Sequence, residues 1–354
     1  MNIKTINTIK KIIRTPAFIY DLDDVKDRLH QTIVAFKRVN DDVKVFYSYK
    51  TNTALGKVLY NLGAGLQITS YPHLKKVLKF ADGEDIFFAS RELDEKTLKL
   101  LVKNHIHIIA NSVRQLNLIT KRFPDYPLGV RVDTGIVPQS TSFATSNLGL
   151  GIPINKIKFF WTSNIVGFHN HLASQNVDLL QYRKNAHTLI KLAQHFKARY
   201  LNIGGGFPIT YNLREREIPL VKFAEAYKDW TGQLFLEPGR YLVGPAGYLF
   251  VKVVDIVGNV AVINASLFSA IRDRILSGFT IKAPILETGK KSYKIVGCSP
   301  SSTDYFGEYN LQELQEGKIL TFFQAGAYSV SNDDFTGVKK PKEFVCEGRR
   351  IKAI

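Results

Sequence analysis

Two patterns of hydrophobic and polar residues alternate along the first two thirds of the chain. Short runs of β-branched and aromatic residues show the two-residue period of strands, and amphipathic stretches with a helical period lie between most of them. The strand-like runs cover residues 44–50, 65–69, 85–90, 105–111, 128–134, 165–172, 200–205 and 233–238. Eight strands that alternate with helices predict a (β/α)8 barrel, for which a doubly wound sheet is the alternative.

The pattern changes near residue 245, where the helical periodicity ends. The segments "YLFVKVVDIV", "NVAVINAS" and "EFVCEGRRI" indicate short strands separated by turns, which is typical of a β-sandwich or β-barrel. We therefore predict an α/β barrel of the TIM type over residues 16–244 and an all-β domain made of residues 1–15 and 245–354. The residues before 16 are expected to add a strand to that domain.

Composition narrows the class of protein. The chain has 354 residues, no apolar run as long as a membrane span, and two cysteines, too few for a disulfide framework or a cysteine-built zinc site. These features favour a cytoplasmic protein without a membrane partner. The formal net charge is +17, but the lysines are scattered and form no block interleaved with aromatic residues, so we expect no nucleic-acid partner. A positive surface can instead attract anionic substrates or cofactors.

The ends of the predicted strands carry the side chains suited to chemistry. In "VFYSYKTN" the strand pattern ends at Lys50, which on this stretch alone is either a solvated lysine or a reactive amine at a barrel rim. Arg131, His171 and Glu237 lie at the ends of three other predicted strands. Because the C-terminal ends of barrel strands form the active site in this fold, the coincidence favours the reactive interpretation of Lys50.

Two glycine-containing motifs follow the last two predicted strands. "LNIGGGFP" places Gly204, Gly205 and Gly206 directly after a strand, where a tight turn needs one glycine and a phosphate-binding loop uses several. In "LEPGRYLVG", Arg240 could neutralise a phosphate bound there. Glu237 would repel that phosphate, so we expect it to face another group, and a protonated ring nitrogen would suit it.

A pair of histidines lies on one face of another predicted strand. His169 and His171 in "GFHNHLASQ" have no third ligand spaced for zinc, so no metal site is expected. The plainer interpretation is two polar residues at a barrel mouth, and the sharper one is an imidazole stacked on a planar cofactor. A lysine, a phosphate loop, a flat-ring partner and an acid for a ring nitrogen together indicate pyridoxal phosphate, with Lys50 as its attachment point.

From "TPAFIYD" to "GAYSVS", nearly the whole chain resembles the fold-type III pyridoxal-phosphate decarboxylases of basic amino acids, whose barrel is like that of alanine racemase. "YSYKTN" looks like the family's Y-x-x-K-x-N motif and makes Lys50 the Schiff-base lysine. "HNHLASQ", "GGGFP", "EPGR" and "QAGAY" match further cofactor motifs. The resemblance implies these cofactor ligands: Arg131 beneath the ring, His171 stacked on it, Glu237 at its nitrogen, and Ser174, Gly204, Gly205, Gly206, Gly239, Arg240 and Tyr328 around the phosphate.

The resemblance is weaker on the substrate side. In "VGCSPSSTDYF", Pro300 and Ser301 occupy the positions of the family's cysteine and acidic residue, and Cys298 lies two residues early. Either a local shift brings Cys298 into place as the proton donor, or reprotonation differs. Asp304 matches the family's aspartate and Arg272 falls where diaminopimelate decarboxylases hold a substrate carboxylate, so both are predicted to bind substrate. Further neutral replacements of charged family residues are Gln67, Asn147 and Asn264.

Together these features predict a pyridoxal-phosphate-dependent carboxy-lyase that removes the α-carboxylate of an amino acid. Intact cofactor motifs beside an altered substrate side indicate an unusual substrate, in a specialised pathway such as siderophore or peptide antibiotic biosynthesis. An amino-acid racemase is the first alternative, although such relatives place an arginine at the ring nitrogen. A non-catalytic homologue that binds partners is the second. The resemblance also implies a homodimer in which the β-domain of one subunit completes the barrel site of the other.

Overall fold

The segment before the barrel contains a helix and a strand. The computed structural model describes residues 1–138, 143–144, 149–212, 215–333, 335–348 and 350–354, with residues 143 and 144 described by their backbone alone. The first elements are α1 (Ile3–Ile12), β1 (Ala17–Asp21) and α2 (Leu22–Lys37). Helix α1 stands where we predicted a strand before residue 16, so that prediction is wrong.

The helical form of α1 follows from its apolar spacing. Ile6 and Ile9 lie one turn apart and are almost fully buried, in a cluster that includes Ile19 and Phe250. Asn2 caps the helix, because its side-chain oxygen accepts a hydrogen bond from the backbone N–H of Thr5 at 2.9 Å. A strand would have placed the two isoleucines on opposite faces.

Eight parallel strands form a closed barrel, as the sequence predicted. They are β2 (Val43–Ser48), β3 (Gly65–Ile68), β4 (Ile86–Phe88), β5 (His107–Ala110), β6 (Leu128–Asp133), β9 (Ile165–His169), β11 (Tyr200–Asn202) and β12 (Gln233–Leu236). Their order around the barrel is β5-β4-β3-β2-β12-β11-β9-β6, and pairing of β5 with β6 closes the ring. Each of the eight runs singled out from the sequence overlaps one of these strands, and seven of them contain the whole strand.

Large side chains from strands that are not neighbours meet inside the barrel. Phe46 on β2 and Phe87 on β4 contact edge to face, with ring centroids 4.6 Å apart. Tyr200 on β11 and Phe235 on β12 belong to the same buried cluster. The barrel is therefore packed through its interior, and in this fold the active site lies at the C-terminal ends of the strands.

Short strands and helices connect the barrel strands, and one short helix follows the last of them. The short strands are β7 (Phe143–Ala144), β8 (Ile152–Pro153) and β10 (Ala173–Ser174). The helices are α3 (Gly56–Asn61), α4 (Tyr71–Val77), α5 (Glu95–Lys103), α6 (Val113–Arg122), α7 (Leu179–His195), α8 (Val221–Ala224) and α9 (Arg240–Val243).

A second sheet follows the barrel and confirms the predicted β-domain. Its C-terminal strands are β13 (Gly247–Val257), β14 (Val260–Ile263), β15 (Lys291–Val296), β16 (Tyr305–Leu311), β17 (Ile319–Phe322), β18 (Lys342–Glu347) and β19 (Arg350–Ala353), with α10 (Arg272–Leu276) between β14 and β15. The sheet order is β16-β15-β14-β13-β1-β18-β19, and β17 also pairs with β13. β1 thus lies in this sheet, although the sequence placed it within the barrel range 16–244.

Contacts within the chain divide it into two units. The barrel unit comprises Arg28–Pro208 and Glu217–Tyr241, and the second unit comprises Met1–Asp27, Ile209–Arg216 and Leu242–Ile354. The first boundary therefore differs from the one predicted at residue 16, because β1 pairs with β13 and β18. Among the helices in the described ranges, none has the length and hydropathy needed to cross a membrane.

Candidate active site

Lys50 stands on a short turn rather than within a strand. β2 ends at Ser48, and Tyr49–Thr51 form one turn of 3₁₀ helix that leaves the Lys50 side chain exposed. The strand end is held in place because Ser48 donates its N–H to the carbonyl oxygen of Pro238 at 3.1 Å. The barrel therefore presents the Lys50 amine from a fixed support at the C-terminal end of β2.

Close packing accounts for the glycine run after β11. Gly204 and Gly206 have φ values of +67° and +89°, which residues with side chains rarely adopt. A Cβ on Gly206 would lie 1.8 Å from the carbonyl oxygen of Ala173 and 3.4 Å from the Cα of Ser174. The glycine loop thus lies directly against β10, and Gly206 is beside the predicted phosphate ligand Ser174.

Two of the three glycine amides already donate within the barrel unit. The N–H of Gly204 donates to Asn202 Oδ1 at 3.0 Å, and that of Gly205 donates to His171 Nδ1 at 3.2 Å. Within the described ranges, the N–H of Gly206 donates to no protein acceptor. Of the three amides predicted to bind phosphate, Gly206 is therefore the one with a donor to offer, and phosphate binding by the loop stays a prediction.

The segment after β12 packs between the glycine loop and the turn after β2. A Cβ on Gly205 would lie 2.2 Å from the carbonyl oxygen of Glu237, and one on Gly239 would lie 2.1 Å from Thr51 Oγ1. Arg240, at the start of α9, is buried. The motif "EPGR" therefore joins the two loops that carry the predicted cofactor ligands.

Glu237 is a buried, ionised carboxylate. Its Oε1 accepts a hydrogen bond from Asn202 Nδ2 at 2.8 Å, and its Oε2 lies 3.3 Å from His169 Nε2. Burial alone would raise the pKa of Glu237, but attraction to His169 and the hydrogen bonds from His169 and Asn202 hold that pKa below its ordinary value. A fixed negative charge in this position could keep a ring nitrogen protonated.

His171 is an uncharged, partly buried imidazole. Loss of hydration, followed by repulsion from Arg131 and Lys50, lowers the pKa of His171 to about 3. Because Nδ1 accepts a hydrogen bond from the N–H of Gly205, the ring proton lies on Nε2. A flat and neutral ring is suited to stack on a planar cofactor, as the resemblance implied.

A cavity of about 710 Å³ opens beside Lys50 and Arg131. Loss of hydration lowers the pKa of Arg131 to about 10, and repulsion from Arg91 acts in the same direction against attraction to Glu237. In the part of the chain that the structure describes, the Arg131 guanidinium makes no hydrogen bond or ion pair. A cation of this kind, next to an amine, is suited to a cofactor with anionic oxygens.

Cys298 lies in the second unit, between β15 and β16. Its side chain is exposed, and its backbone N–H donates to the carbonyl oxygen of Ala265 at 3.1 Å. Partial desolvation and the charge of Asp304 raise the pKa of the Cys298 thiol. The thiol is therefore protonated at neutral pH, as a proton donor must be, and its role as that donor stays a prediction.

Asp304 holds the backbone around Cys298. It is 2% exposed, its Oδ1 accepts the N–H of Leu267 at 2.6 Å, and its Oδ2 accepts the N–H of Ser299 at 3.0 Å. These bonds join the loop after β15 to the segment after β14. Because both oxygens are engaged by backbone amides, the geometry gives no support to the predicted contact between Asp304 and a substrate.

Arg272 and Tyr328 lie on neighbouring segments of the second unit. The Arg272 side chain is exposed, and its backbone N–H donates to the carbonyl oxygen of Ser329 at 3.4 Å. Tyr328 has a φ of +54°, a conformation that is uncommon for a tyrosine and is often retained at functional sites. The predicted contacts of Tyr328 with phosphate and of Arg272 with substrate stay predictions.

Sequence reasoning misses the partners of Glu237. It considers His169 only as a zinc ligand or as a wall residue, and it does not single out Asn202. Strand pairing aligns Asn202 with His169, so the two side chains occupy equivalent positions on neighbouring strands. Two polar residues at inward positions of adjacent buried strands require a polar partner. This pattern could have identified His169 and Asn202 from the sequence.

Comparison with known proteins identifies the family. The model for the pyridoxal binding domain of pyridoxal-dependent decarboxylases matches residues 22–244, and the chain belongs to this family. The diaminopimelate decarboxylase of Aquifex aeolicus is 26% identical over 375 residues, which cover 96% of this chain and 88% of that protein.

Solved structures show the same fold. Diaminopimelate decarboxylase from Helicobacter pylori, complexed with L-lysine, has a TM-score of 0.87 at 21% identity and covers 98% of this chain and 95% of its own. Carboxynorspermidine decarboxylase from Campylobacter jejuni, complexed with norspermidine, has a TM-score of 0.78 at 20% identity and covers 97% of each chain. Family membership confirms pyridoxal 5'-phosphate as the cofactor and amino acid decarboxylation as the activity.

Proposed function

We propose that this enzyme removes the α-carboxylate of an amino acid that carries a second acidic group, in a specialised biosynthetic pathway such as one that makes a siderophore or a peptide antibiotic. The ionised carboxylate of Glu237, fixed by His169 and Asn202, is the observation that carries decarboxylation. A racemase benefits from a weaker electron acceptor, whereas a carboxylate at the ring nitrogen strengthens it.

The barrel residues hold and tune the cofactor. Pyridoxal phosphate, when bound, supplies the ring that accepts the electron pair of the breaking bond to the α-carboxylate. Lys50 would provide the amine that holds the cofactor. Glu237 would keep a proton at the ring nitrogen, and the His171 imidazole, which is uncharged, would lie against the ring.

The second unit supplies the remaining groups. Cys298 delivers a proton to Cα after the carboxylate has left, since its thiol is protonated at neutral pH. Tyr328 contacts the phosphate and Arg272 binds a substrate carboxylate. We infer that the enzyme is a homodimer in which these residues complete the barrel site of the partner subunit, because family resemblance implies shared sites.

The replaced residues on the substrate side support an unusual substrate. Gln67 is buried and accepts a hydrogen bond from Ser48 Oγ at 3.3 Å. Asn264 donates to Thr15 Oγ1 at 3.0 Å and accepts the N–H of Lys252 at 2.8 Å. Both are neutral amides engaged within the protein, so neither offers the charge of the family's acid to a substrate ammonium. Asn147 lies outside the described residues.

The proposal is tested by product analysis of the holoenzyme with basic, acidic and dicarboxylic amino acids. Carbon dioxide should be released from a substrate that carries a second acidic group. Lys50→Ala should abolish both this release and the visible absorption of the cofactor. Lys57→Ala, at an exposed position on α3, is the matched control and should change neither.

Two outcomes would reject decarboxylation. Inversion of the substrate without carbon dioxide would support the racemase alternative. Turnover of no amino acid by a protein that binds the cofactor would support the non-catalytic alternative, which the retained Lys50, "GGGFP" and "EPGR" motifs argue against.

A further inference from the structure

Two cations line the cavity beside Lys50, and none of the roles above uses them. Arg91 lies on the loop after β4, and Lys96 lies in the first turn of α5. The geometry points to Arg91 and Lys96 as specificity-determining residues that bind an anionic group at the end of the substrate distant from its reacting centre. This inference rests on the proposed function and adds the barrel's own contribution to the predicted contact of Arg272.

The barrel mouth has two halves with different chemistry. The glycine loop and the segment that carries Arg240 follow β11 and β12, whereas most of the cavity lining comes from the segments after β3, β4 and β5. In the strand order, β2 with its Lys50 turn lies between these halves. A cofactor phosphate held on the first half therefore leaves the second half, with Arg91 and Lys96, for the distal end of the substrate.

Two buried side chains hold the loop that carries Arg91. Asn111 Nδ2 donates to the carbonyl oxygen of Ser90 at 2.9 Å, and Gln115 Nε2 donates to the carbonyl oxygens of Ser90 and Arg91 at 2.8 Å and 3.0 Å. Both amide side chains are buried. Because the backbone under Arg91 is already ordered, a ligand that binds there costs less conformational entropy than one bound by a flexible loop.

Cations outnumber acids around the cavity. The charged lining residues are Lys50, Arg91, Lys96, Arg131, Glu92 and Asp94. Asp94 is engaged as the N-cap of α5, where its Oδ1 accepts the N–H of Thr97 at 2.7 Å. Arg91 lies near enough to Arg131 to disfavour its charged form. Because like charges in a cavity repel each other, an anionic group that enters between them relieves that repulsion.

The test compares two amino acids that differ by one distal carboxylate, meso-diaminopimelate and L-lysine. Their binding to the holoenzyme is followed by the absorption of the cofactor, for wild type, Arg91→Gln, Lys96→Gln and the double variant. Wild type should prefer diaminopimelate, and the double variant should lose about tenfold to hundredfold of that preference, because charge-assisted contacts are removed. Affinity for lysine and for pyridoxal phosphate should stay unchanged.

Lys99→Gln is the matched control. Lys99 lies on the same helix, outside the cavity lining, with its ammonium 3.2 Å from Glu95 Oε1. An unchanged preference in the double variant, no preference in wild type, or no binding of either amino acid would overturn the assignment. Weaker binding of pyridoxal phosphate with an unchanged preference would also overturn it, because the pair would then serve the cofactor.

Carbon dioxide release is scored separately in the same samples. A preference that depends on Arg91 and Lys96 without any carbon dioxide would reject the proposed reaction and leave the assignment of the pair standing. Release of carbon dioxide with an unchanged preference in the double variant would support the proposed reaction and reject the assignment of Arg91 and Lys96.

Discussion

At the residue scale, the charge of Glu237 depends on His169. His169 is 2% exposed, its Nε2 lies 3.3 Å from the carboxylate, and its Nδ1 has no partner among the described residues. The other groups that act on Glu237 are Asn202, His171, Arg131 and Tyr200. Since the one hydrogen bond of the His169 ring in the described chain goes to Glu237, we assign His169 as a positioning residue for it.

His169→Leu should therefore weaken decarboxylation most at low pH. Loss of the imidazole raises the pKa of Glu237, so this residue stays protonated up to a higher pH. The decrease of kcat on the acidic side of the pH profile then begins at a higher pH. We expect kcat near neutral pH to fall about tenfold, the effect of losing one hydrogen bond to a charged group. His169→Gln keeps a donor near the same position and should recover part of the loss.

The pH dependence of unfolding of the apoprotein gives an independent measurement. A carboxylate whose folded pKa is depressed contributes stability above its unfolded pKa, and that stability is lost as pH falls through the folded pKa. His169→Leu should remove part of this contribution, whereas His195→Gln, at an exposed position on α7, should not. If kcat decreases at the same acidic pH in wild type and in both His169 variants, His169 does not position Glu237.

The sequence offers candidates for the side chains that carry the chemistry, but it does not show what holds them. Lys50, His171 and Glu237 are candidates because each lies in a motif at a strand end. The partners of Glu237 come from other strands, 35 and 68 residues away along the chain, so no local pattern links them to it. Asp304 shows the opposite limit of a motif, since the match suggests a substrate contact for a carboxylate that two backbone amides hold, and that contact stays a prediction.

At the element scale, period and length predicted the barrel strands, but pairing decided where they end. The alternation in "VFYSYK" continues to Lys50, yet the strand stops at Ser48, where the chain bonds to Pro238. All five residues of β1 are buried in the structure, as in a strand that is covered on both faces. Its sheet could not be predicted, since its partners β13 and β18 lie far along the chain.

The glycine loop provides a prediction about packing rather than conformation alone. Gly206 and Gly63 have nearly equal φ values, +89° and +91°, but only Gly206 has backbone atoms where a Cβ would stand. Gly63→Ala should cost about 1–2 kcal/mol of unfolding free energy from strain. Gly206→Ala should cost about 3 kcal/mol or more, because the loop must also move away from Ala173.

Denaturant unfolding of the apoproteins measures both costs, and cofactor titration measures the functional consequence. Gly206→Ala should weaken pyridoxal phosphate binding, while Gly63→Ala should leave it unchanged. Equal destabilisation by the two substitutions would show that the contact with Ala173 is not limiting. Unchanged cofactor affinity in Gly206→Ala would remove this loop from the proposed phosphate site.

At the scale of the whole molecule, the groups assigned to the reaction are divided between two units. Lys50, His171 and Glu237 belong to the barrel unit, and Cys298 and Tyr328 belong to the second unit. The proposed reaction therefore draws its groups from both units. In the proposed homodimer, each active site uses residues from two subunits. This arrangement can be tested without knowledge of the interface.

Subunits with complementary defects separate the two arrangements. Lys50→Ala and Cys298→Ala chains, co-expressed with different tags and purified through both, give dimers that contain one of each. If the sites are shared between subunits, one of the two sites receives an intact Lys50 from one subunit and an intact Cys298 from the other. The mixed dimer should then show about half of the wild-type activity.

If each site is built within a single subunit, every site keeps one defect, and the mixed dimer should be as inactive as its parents. If Cys298→Ala alone retains full activity, Cys298 is not the proton donor, and Tyr328→Ala takes its place in the same experiment.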